Sequence, residues 1–367
     1  MKKKIIFSTY DDIHNPYYAG GGAVAIAEIA KRLVSEYDVT VITGNYPGAK
    51  EERIDGVLYK RMGPSSFGPR RSQLLFHMLL PQYLKKESFD LWIESFTPPF
   101  STSRLQRYTK KPVIGLVHML SSEDMKRKYK LPFHLVEDRG LKTYNYFIVL
   151  TEAFKKKIER VNNNATFFLI PNGVSLVHPA AKREKTEEYI LFLGRLEMDQ
   201  KGIDLLLDGY AHIRSKTKVK LIIAGSGLAH DTKRIEVRIK TLGLQDHVIL
   251  KGRVAGEEKA SLLRNCSVFA MSSRFETFGM VALEAMAYGK PLVSFDIEGL
   301  QWIPSSCIIR AKSFDAQQYG EALLRVLNDQ TLQNDMSSAA LQSVQRYSWD
   351  TISEEYRVAI AKVLQNV

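Results

Sequence analysis

The chain alternates short, almost continuously apolar runs with longer segments in which apolar residues recur at helical spacing. In the first half, apolar runs predict strands at residues 4–9, 39–43, 57–62, 89–94, 113–117, 147–150 and 167–170. Helical patterns occur between several of them, at residues 23–34, 73–86, 101–109 and 152–161. Strands that are apolar on both faces and alternate with helices are typical of a doubly wound, largely parallel sheet.

A polar interruption divides this pattern into two halves. Pro171-Asn172-Gly173 ends the first series, and residues 175–188 are mostly polar. The alternation then restarts, with strands predicted at 189–193, 219–224, 248–250, 268–271 and 292–295 and helices near 202–215, 228–242, 256–264 and 279–288. We therefore predict an α/β protein with Rossmann-like domains at residues 1–174 and 175–345, followed by a helix at 346–367 that packs back toward the N-terminal domain.

Length and composition agree with two globular domains. The 367 residues exceed what one hydrophobic core usually organises, and 45% hydrophobic with 25% charged residues is ordinary for a soluble protein. The two cysteines, Cys266 and Cys307, are far apart in sequence and predict buried, reduced thiols. The apolar run at residues 5–7 is too short for a signal peptide, and no run reaches membrane-spanning length, so we expect a cytoplasmic protein.

The positive charge is concentrated in the N-terminal half. The formal net charge is +12; residues 1–175 hold 27 Lys and Arg against 17 Asp and Glu, whereas residues 176–367 hold 25 against 23. The excess forms short clusters at residues 70–71, 85–86, 110–111, 126–130 and 155–157. Each cluster fits a solvated surface, and together they favour a face that meets an anionic acceptor or the inner face of a plasma membrane. Nucleic acid is not an expected partner, because no recognised nucleic-acid-binding module is present.

Residues 272–296 carry the strongest chemical signal. A predicted strand ends at Met271, and Gly279 precedes a predicted helix that is rich in Ala, Leu and Met. A glycine at a helix start lets an anion approach backbone N–H groups at the positive end of the helix dipole. Glu276 and Glu284 flank this helix start and would repel an anion unless they hold neutral hydroxyls. A phosphorylated sugar supplies both the anion and the hydroxyls.

Arg195 and Lys201 are the candidate cations for this anion. Arg195 follows the first predicted strand of the second half and Lys201 opens the next helix, which places both at the carboxyl edge of the sheet. Gly225-Ser226-Gly227 predicts a strand-to-helix turn at the same edge, but no further glycine completes a dinucleotide-binding fingerprint. No Walker sequence, HExxH, GxSxG or Asp-x-Asp pair is present, so cationic side chains and N–H groups are expected to neutralise a leaving diphosphate.

The combination of these residues resembles a known enzyme family. Arg195, Lys201, Glu276 and Glu284, with Phe278-Gly279-Met280 between the two acids, resemble the retaining GT-B glycosyltransferases of glycosyltransferase family 4, or glycosyl transferases group 1. Elsewhere in the chain, Gly20-Gly21-Gly22 resembles the family's N-terminal glycine loop, His118 its cleft histidine, and residues 170–174 its hinge. Ser175 stands where the family usually has Asp, and residues 296–300 differ from the usual Gly-Gly and acidic loop. The resemblance implies two Rossmann-like domains whose parallel sheets face each other across a cleft.

The resemblance also implies a role for each site residue. Arg195 and Lys201 bind the donor diphosphate and, with Glu276 and His118, form the catalytic set. Glu276 holds hydroxyls of the donor sugar, Glu284 holds the ribose, and a mobile Gly21-Gly22 loop closes near the phosphates. The remaining donor-binding positions are Arg253, Phe278, Gly279, Met280 and Val281. The resemblance implies neither a metal ion nor a cofactor.

The implied reaction moves a sugar from a UDP- or GDP-sugar to an acceptor hydroxyl with retention of the anomeric configuration. Front-face attack, in which the leaving phosphate accepts the acceptor's proton, and double displacement through a carboxylate nucleophile both fit. The acceptor is expected to be a glycan or lipid-linked molecule of cell-surface polysaccharide, lipopolysaccharide or glycolipid synthesis, selected in part by residues 11–18. The alternatives are a GT-B-fold epimerase and a non-catalytic nucleotide-sugar or membrane-binding module.

Overall fold

The computed structural model describes residues 2–15, 20–65, 68–122, 125–126, 130, 132–177 and 188–366, without the side chains of residues 68–70. The chain forms two compact units. The first unit contains Met1–Gly173 and Trp349–Val367, and the second contains Val174–Ser348. This division lies one residue before the boundary that the sequence predicts, and it assigns the last helix to the first unit.

The first unit is built around a sheet that has eight strands within the described residues, in the order β3-β4-β2-β1-β5-β6-β7-β8. Neighbouring strands are parallel, except that β3 pairs antiparallel with β4. The central strands are fully buried, as their continuous apolar sequences predict. The strands are β1 (Lys4–Ser8), β2 (Asp38–Gly44), β3 (Glu52–Ile54), β4 (Val57–Met62), β5 (Leu91–Ser95), β6 (Val113–Val117), β7 (Tyr146–Val149) and β8 (Thr166–Leu169).

The helices of the first unit include the last helix of the chain, which packs against the first. Arg32 of the first helix donates from Nε to Oδ1 of Asp350 at 2.6 Å, and Arg357 donates from Nη2 to the carbonyl of Arg32 at 2.7 Å. The ring of Trp349 also lies against Gly173, where an added Cβ would be 2.4 Å from it. The described helices are α1 (Gly21–Leu33), α2 (Gly68–Lys86), α3 (Phe133–Leu141), α4 (Glu152–Glu159) and, at the end of the chain, α11 (Trp349–Gln365).

The second unit contains a parallel sheet whose described strands follow the order β11-β10-β9-β12-β13-β14. These strands are β9 (Tyr189–Leu193), β10 (Lys220–Ala224), β11 (Val248–Gly252), β12 (Val268–Met271), β13 (Leu292–Phe295) and β14 (Ile308–Ala311). The helices are α5 (Ile203–Ile213), α6 (Ala229–Thr241), α7 (Gly256–Asn265), α8 (Met280–Ala287), α9 (Ala316–Asn328) and α10 (Gln330–Val344). Because the strands are parallel, their carboxyl ends meet at one edge, next to the starts of the following helices.

The helix predicted at residues 101–109 is wrong. A short 3₁₀ helix at Leu105–Tyr108 is all that forms there, because Ser101 and Arg104 have φ angles of 65° and 56°, outside the right-handed helical region. Strands β3 and β14 and helix α3 are not predicted from the sequence. Strand β3 has three residues and an exposed, charged sequence, so its pairing with β4 leaves no apolar pattern.

The remaining sequence-based expectations concern thiols and membrane spans. Cys266 and Cys307 are both free and buried, which confirms that prediction. Within the described ranges, no helix combines the length and the apolar character needed to cross a membrane.

Candidate active site

Two loops at the carboxyl edge of the second sheet are joined backbone to backbone. Gly202, which precedes helix α5, has φ of 60°, and a Cβ placed on it would lie 2.0 Å from the carbonyl oxygen of Ser272. Only glycine tolerates both the left-handed conformation and this contact. Ser272 Oγ also donates to the carbonyl of Lys201 at 2.8 Å, and the N–H of Arg274 donates to the carbonyl of Gln200 at 2.9 Å. The Lys201 loop is therefore fixed to the loop that carries Glu276.

Lys201 and Glu276 form a nearly buried ion pair. Lys201 Nζ lies 2.6 Å from Glu276 Oε1, and the two side chains are 14% and 9% exposed. Ser273 Oγ donates to the same carboxylate oxygen at 2.7 Å. The sequence assigns Lys201 to a phosphate and Glu276 to sugar hydroxyls, whereas the structure brings the two groups together. An ammonium that neutralises the neighbouring carboxylate lets an anion approach this edge without facing an uncompensated negative charge.

Helix α8 begins immediately after the Glu276 loop. It runs from Met280 to Ala287 and is preceded by Gly279, whose φ is 78°, so the predicted glycine at the helix start is where the sequence places it. The N–H groups of Ala282 and Leu283 donate to the Gly279 carbonyl at 2.9 and 3.4 Å, whereas the N–H groups before them precede the first helical hydrogen bond and lie at the positive end of the helix dipole. The backbone of Gly279, Met280 and Val281 is thus available to bind an anion.

The Phe278 side chain is not accessible to a ligand, so the donor-binding role expected for this residue is wrong for its side chain. It is 1% exposed and stacks on Trp302, with ring centroids 4.5 Å apart and ring planes 4° apart. The aromatic ring belongs to the core beneath the helix start, because stacked burial satisfies an apolar side chain better than a polar cleft. Residue 278 can contribute to a site only through its backbone.

Glu284 has one occupied and one open oxygen. It lies one helical turn after Met280, on the same side of α8. Oε1 accepts from Lys259 Nζ of helix α7 at 2.8 Å, whereas Oε2 is shielded and has no hydrogen-bond partner among the residues that the structure describes. A buried carboxylate oxygen without a donor is costly unless a ligand hydroxyl completes it. Lys259 is not predicted as a site residue, because residue spacing within one helix does not reveal an ion pair with a residue of another helix.

Arg195 is positioned by the glycine turn that follows strand β10. A Cβ on Gly225 would lie 1.7 Å from the carbonyl oxygen of Gly194, and one on Gly227 would lie 1.9 Å from that of Leu196. The two glycines therefore allow close approach of two backbone segments. The Arg195 side chain is 64% exposed and contacts Glu197 at 3.2 Å. Arg253, another exposed arginine, follows strand β11 at the same sheet edge.

His118 follows strand β6 in the first unit and is half-buried. Its Nδ1 lies 3.0 Å from Ser95 Oγ, and its Nε2 is shielded from water without a hydrogen-bond partner in the described ranges. Burial lowers the pKa of the ring to about 4, so the imidazole is neutral at neutral pH. A Cβ on Gly22 would lie 3.0 Å from Nδ1, so the glycine lets the backbone of helix α1 approach the ring.

The glycine loop expected at Gly21-Gly22 is wrong. Both residues lie in the first turn of helix α1, and Gly20 precedes it in an extended conformation. The helix can start there because Ala23 and the apolar face behind it anchor the first turn in the core. An anion at this position would meet a helix N-terminus rather than a flexible loop.

Residues 11–18 are only partly described, because 16–18 lie outside the described residues. Asp12, in the described part, is fully buried and pairs with Arg61 at 2.9 Å. It also accepts from Thr43 Oγ1 at 2.7 Å. Asp12 thus holds the start of the segment to the sheet and does not contact an acceptor through its carboxylate.

Two further buried acids, Glu94 and Glu137, lie at the carboxyl edge of the first sheet and are not predicted from the sequence. Glu94 is the penultimate residue of strand β5 and accepts from the N–H of Ser103 and the hydroxyl of Tyr144. Burial raises the pKa of Glu94 to about 7. Glu137 accepts from the N–H groups of Ser121 and Ser122 at 2.9 and 3.0 Å. Their partners are distant in sequence, so no local pattern reveals them.

A protein metal site requires a set of donor side chains around the ion. In the part of the chain that the structure describes, no group of three or more His, Cys, Asp or Glu side chains is placed to hold a metal ion. The candidate site instead contains two Lys–Glu ion pairs, Lys201–Glu276 and Lys259–Glu284, next to the N-terminus of helix α8.

Two family models match the chain. Residues 176–343 match the model described as Glycosyl transferases group 1, and residues 19–178 match the model described as Glycosyltransferase Family 4. The chain belongs to this glycosyltransferase family. The family predicted from the site residues is confirmed, and the protein is a transferase enzyme.

Similar proteins support the same conclusion over the whole length. The glycosyltransferase is 27% identical to an uncharacterised glycosyltransferase of Methanocaldococcus jannaschii over 401 aligned residues, which cover 97% of this chain and 98% of the relative. It superposes on sucrose-phosphate synthase from Thermosynechococcus elongatus with a TM-score of 0.85, 21% identity and complete coverage of both chains. The structure of Anabaena HepE in complex with UDP-glucose gives a TM-score of 0.77 at 18% identity, again over both complete chains. These likenesses confirm the predicted GT-B fold.

Proposed function

We propose that this glycosyltransferase moves a sugar from a nucleoside-diphosphate sugar, UDP- or GDP-linked, to an acceptor hydroxyl with retention of configuration. The observation that carries the proposal is the Lys201–Glu276 pair at 2.6 Å beside the N-terminus of helix α8. It combines a group for phosphate with a group for hydroxyls at one sheet edge. The neighbouring structure of HepE, which holds UDP-glucose, supports a donor of this class.

The donor diphosphate is bound without a metal ion in this proposal. Lys201 supplies a point charge, and Arg195 and Arg253 supply forks that reach the same edge from the ends of β9 and β11. The N–H groups at the start of α8 add oriented dipoles that need no reorganisation. Together these groups stabilise the charge that develops on the leaving phosphate as its bond to the anomeric carbon breaks.

Glu276 and Glu284 bind hydroxyl groups of the donor in this proposal, and neither contacts its phosphates. Glu276, neutralised by Lys201, accepts hydrogen bonds from the transferred sugar. Glu284 accepts from a ribose hydroxyl at Oε2, the oxygen that has no donor among the described residues. His118, neutral because burial lowers its pKa, offers a ring nitrogen to a sugar hydroxyl of the substrates.

Retention follows if the acceptor attacks on the same face that the leaving phosphate occupies. The phosphate oxygen then accepts the acceptor's proton, and the cations at the sheet edge stabilise the remaining negative charge. This route needs no carboxylate nucleophile, which agrees with Glu276 being occupied by Lys201 and Ser273.

A donor screen tests the proposal directly. UDP- and GDP-sugars are expected to raise the melting temperature, and the matching donor to release its nucleoside diphosphate when an acceptor glycan or glycolipid is added, with or without EDTA. NMR of the product gives the anomeric configuration. Inversion of that configuration contradicts the retaining route, loss of activity in EDTA contradicts the metal-free donor site, and turnover without acceptor supports an epimerase or hydrolase instead.

We place the acceptor among lipid-linked or cell-surface glycans and the enzyme at the cytoplasmic face of an anionic membrane. Helix α2 supports this placement, because Leu74 and Met78 are 39% and 62% exposed and share a helical face with Arg71 and Lys85. Vesicle co-sedimentation tests it. Binding is expected with phosphatidylglycerol vesicles, weaker at high salt and weaker for Lys85→Glu; equal binding to phosphatidylcholine vesicles contradicts it.

A further inference from the structure

Trp302 makes two separate contacts with the residue that precedes the helix start. Its indole ring stacks on the ring of Phe278 at 4.5 Å, and its Nε1 donates to the Phe278 carbonyl oxygen at 2.7 Å. Trp302 is only half-buried, and it lies two residues after the short 3₁₀ helix Glu298–Leu300. Residues 296–300, just before Trp302, differ from the usual loop of the family, but no sequence pattern singles out Trp302 itself.

The hydrogen bond to Phe278 determines where a neighbouring N–H group points. In a trans peptide the C=O and N–H of one plane are antiparallel, so the carbonyl of Phe278 and the N–H of Gly279 point in opposite directions. Gly279 has φ of 78° and no Cβ, so its own side restricts rotation of this peptide plane less than an L residue would. Anchoring the carbonyl to Trp302 therefore orients the Gly279 N–H.

Residues next to Trp302 hold the same segment at two further points. A Cβ on Gly299 would lie 1.9 Å from the carbonyl oxygen of Glu276, and one on Gly279 would lie 2.7 Å from Leu300 Cδ2. Trp302 is itself supported by an edge-on contact with Tyr347, at 5.1 Å between ring centroids. Residues 299–302 thus contact the segment 276–279 at three points.

We propose that Trp302 is a positioning residue that orients the Gly279 N–H toward a phosphate of the nucleoside diphosphate. Trp302 acts through the Phe278–Gly279 peptide and does not itself contact the ligand. This inference rests on the proposed function, since it requires a nucleoside diphosphate at the start of helix α8. It also makes Trp302 a reporter, because the indole is hydrogen-bonded to the peptide that responds to the ligand.

The test compares Trp302→Phe with Trp92→Phe. Trp302→Phe keeps a stacking ring and removes the N–H donor. Trp92 is likewise an indole that donates one hydrogen bond, to Ser8 Oγ at 2.8 Å, but it is fully buried and lies in the first unit. Both variants are titrated with UDP and GDP, and with uridine and guanosine, which lack the phosphates.

We expect Trp302→Phe to weaken the binding of UDP or GDP about tenfold and to leave nucleoside binding unchanged. Trp92→Phe is expected to bind both as the wild type does. In the wild type and in Trp92→Phe, the nucleoside diphosphate is expected to change the tryptophan emission, and that change is expected to vanish in Trp302→Phe.

Unchanged UDP and GDP affinity in Trp302→Phe overturns the inference, as does an equal loss of nucleotide and nucleoside affinity, which indicates a general structural role. These results leave the proposed function standing if the wild type binds either nucleotide. A folded wild type that binds neither UDP nor GDP overturns the proposed donor class, and the inference with it.

Discussion

Lys201→Met tests the ion pair at the centre of the candidate site. The substitution leaves the Glu276 carboxylate, 9% exposed, without its cation. Breaking a buried pair by removing one partner costs about 3–5 kcal/mol, and the remaining hydrogen bond from Ser273 favours the lower end. At about 2–4 °C per kcal/mol for a domain of this size, the second unit should melt about 6–12 °C below the wild type.

Lys216→Met is the matched control. Lys216 pairs with Glu321 at 2.6 Å, the same distance as the Lys201–Glu276 pair, but both side chains are 48% exposed. Solvent screens such a pair, so the melting temperature is expected to stay close to that of the wild type. Calorimetry of the whole chain gives both values. Equal shifts for Lys201→Met and Lys216→Met contradict the role of burial.

A double-mutant cycle with Glu276→Gln separates stability from catalysis. Each single substitution leaves one nearly buried charge unpaired. The sum of the two losses in free energy of unfolding, for Lys201→Met and for Glu276→Gln, should therefore exceed the loss in the double variant by about 2 kcal/mol. Transfer activity is expected to be absent in all three variants, including the double variant whose stability is largely recovered. Additive losses refute the coupling, and wild-type turnover by Lys201→Met refutes the catalytic assignment.

Three further predictions follow from the described contacts. Glu94 has a folded pKa raised to about 7, so its contribution to stability is present below about pH 4.5 and is lost as pH rises through 7. The free energy of unfolding of Glu94→Gln relative to wild type should therefore grow by about 3 kcal/mol between pH 5 and pH 8, as measured by urea unfolding, and a constant difference contradicts this. Gly202→Ala should destabilise the second unit by at least about 3 kcal/mol, because the added Cβ meets the Ser272 carbonyl oxygen. Gly243→Ala is the control: its φ of 64° is similar, nothing lies within 4 Å of the added Cβ, and it should cost about 1 kcal/mol. Equal melting temperatures of the two variants would show that the contact with Ser272 is unimportant. Lys259→Met should free the Glu284 carboxylate to rotate, so that Oε2 is no longer held toward the ribose and the expected preference of about tenfold for UDP or GDP over its 2′- or 3′-deoxy form is lost in calorimetric titrations. An unchanged preference counts against the role of Lys259.

The amino-acid sequence determines most strands of this protein, all but β3 and β14 of those described, to within one or two residues at each end. Strands β6, β9 and β12 have the bounds that their apolar runs predict, because a strand buried on both faces must be apolar throughout. The sequence also identifies Gly279 as a helix start, since glycine there satisfies a left-handed φ. Where burial is partial, as at β3, or where a loop is held by a distant group, as at residues 101–104, the local pattern predicts the wrong element or none.

The site residues show the same division. Residue types and spacing select Lys201, Glu276 and Glu284 as candidates, because a sheet edge next to helix starts is where parallel α/β folds bind ligands, and these side chains suit a phosphate and hydroxyls. Only the tertiary structure pairs Lys201 with Glu276, 75 positions later in the chain, and withdraws the Phe278 ring into a stack with Trp302. These pairings depend on which loops the strand order brings together at one edge, and strand order is decided by packing of the whole sheet rather than by any local run of residues.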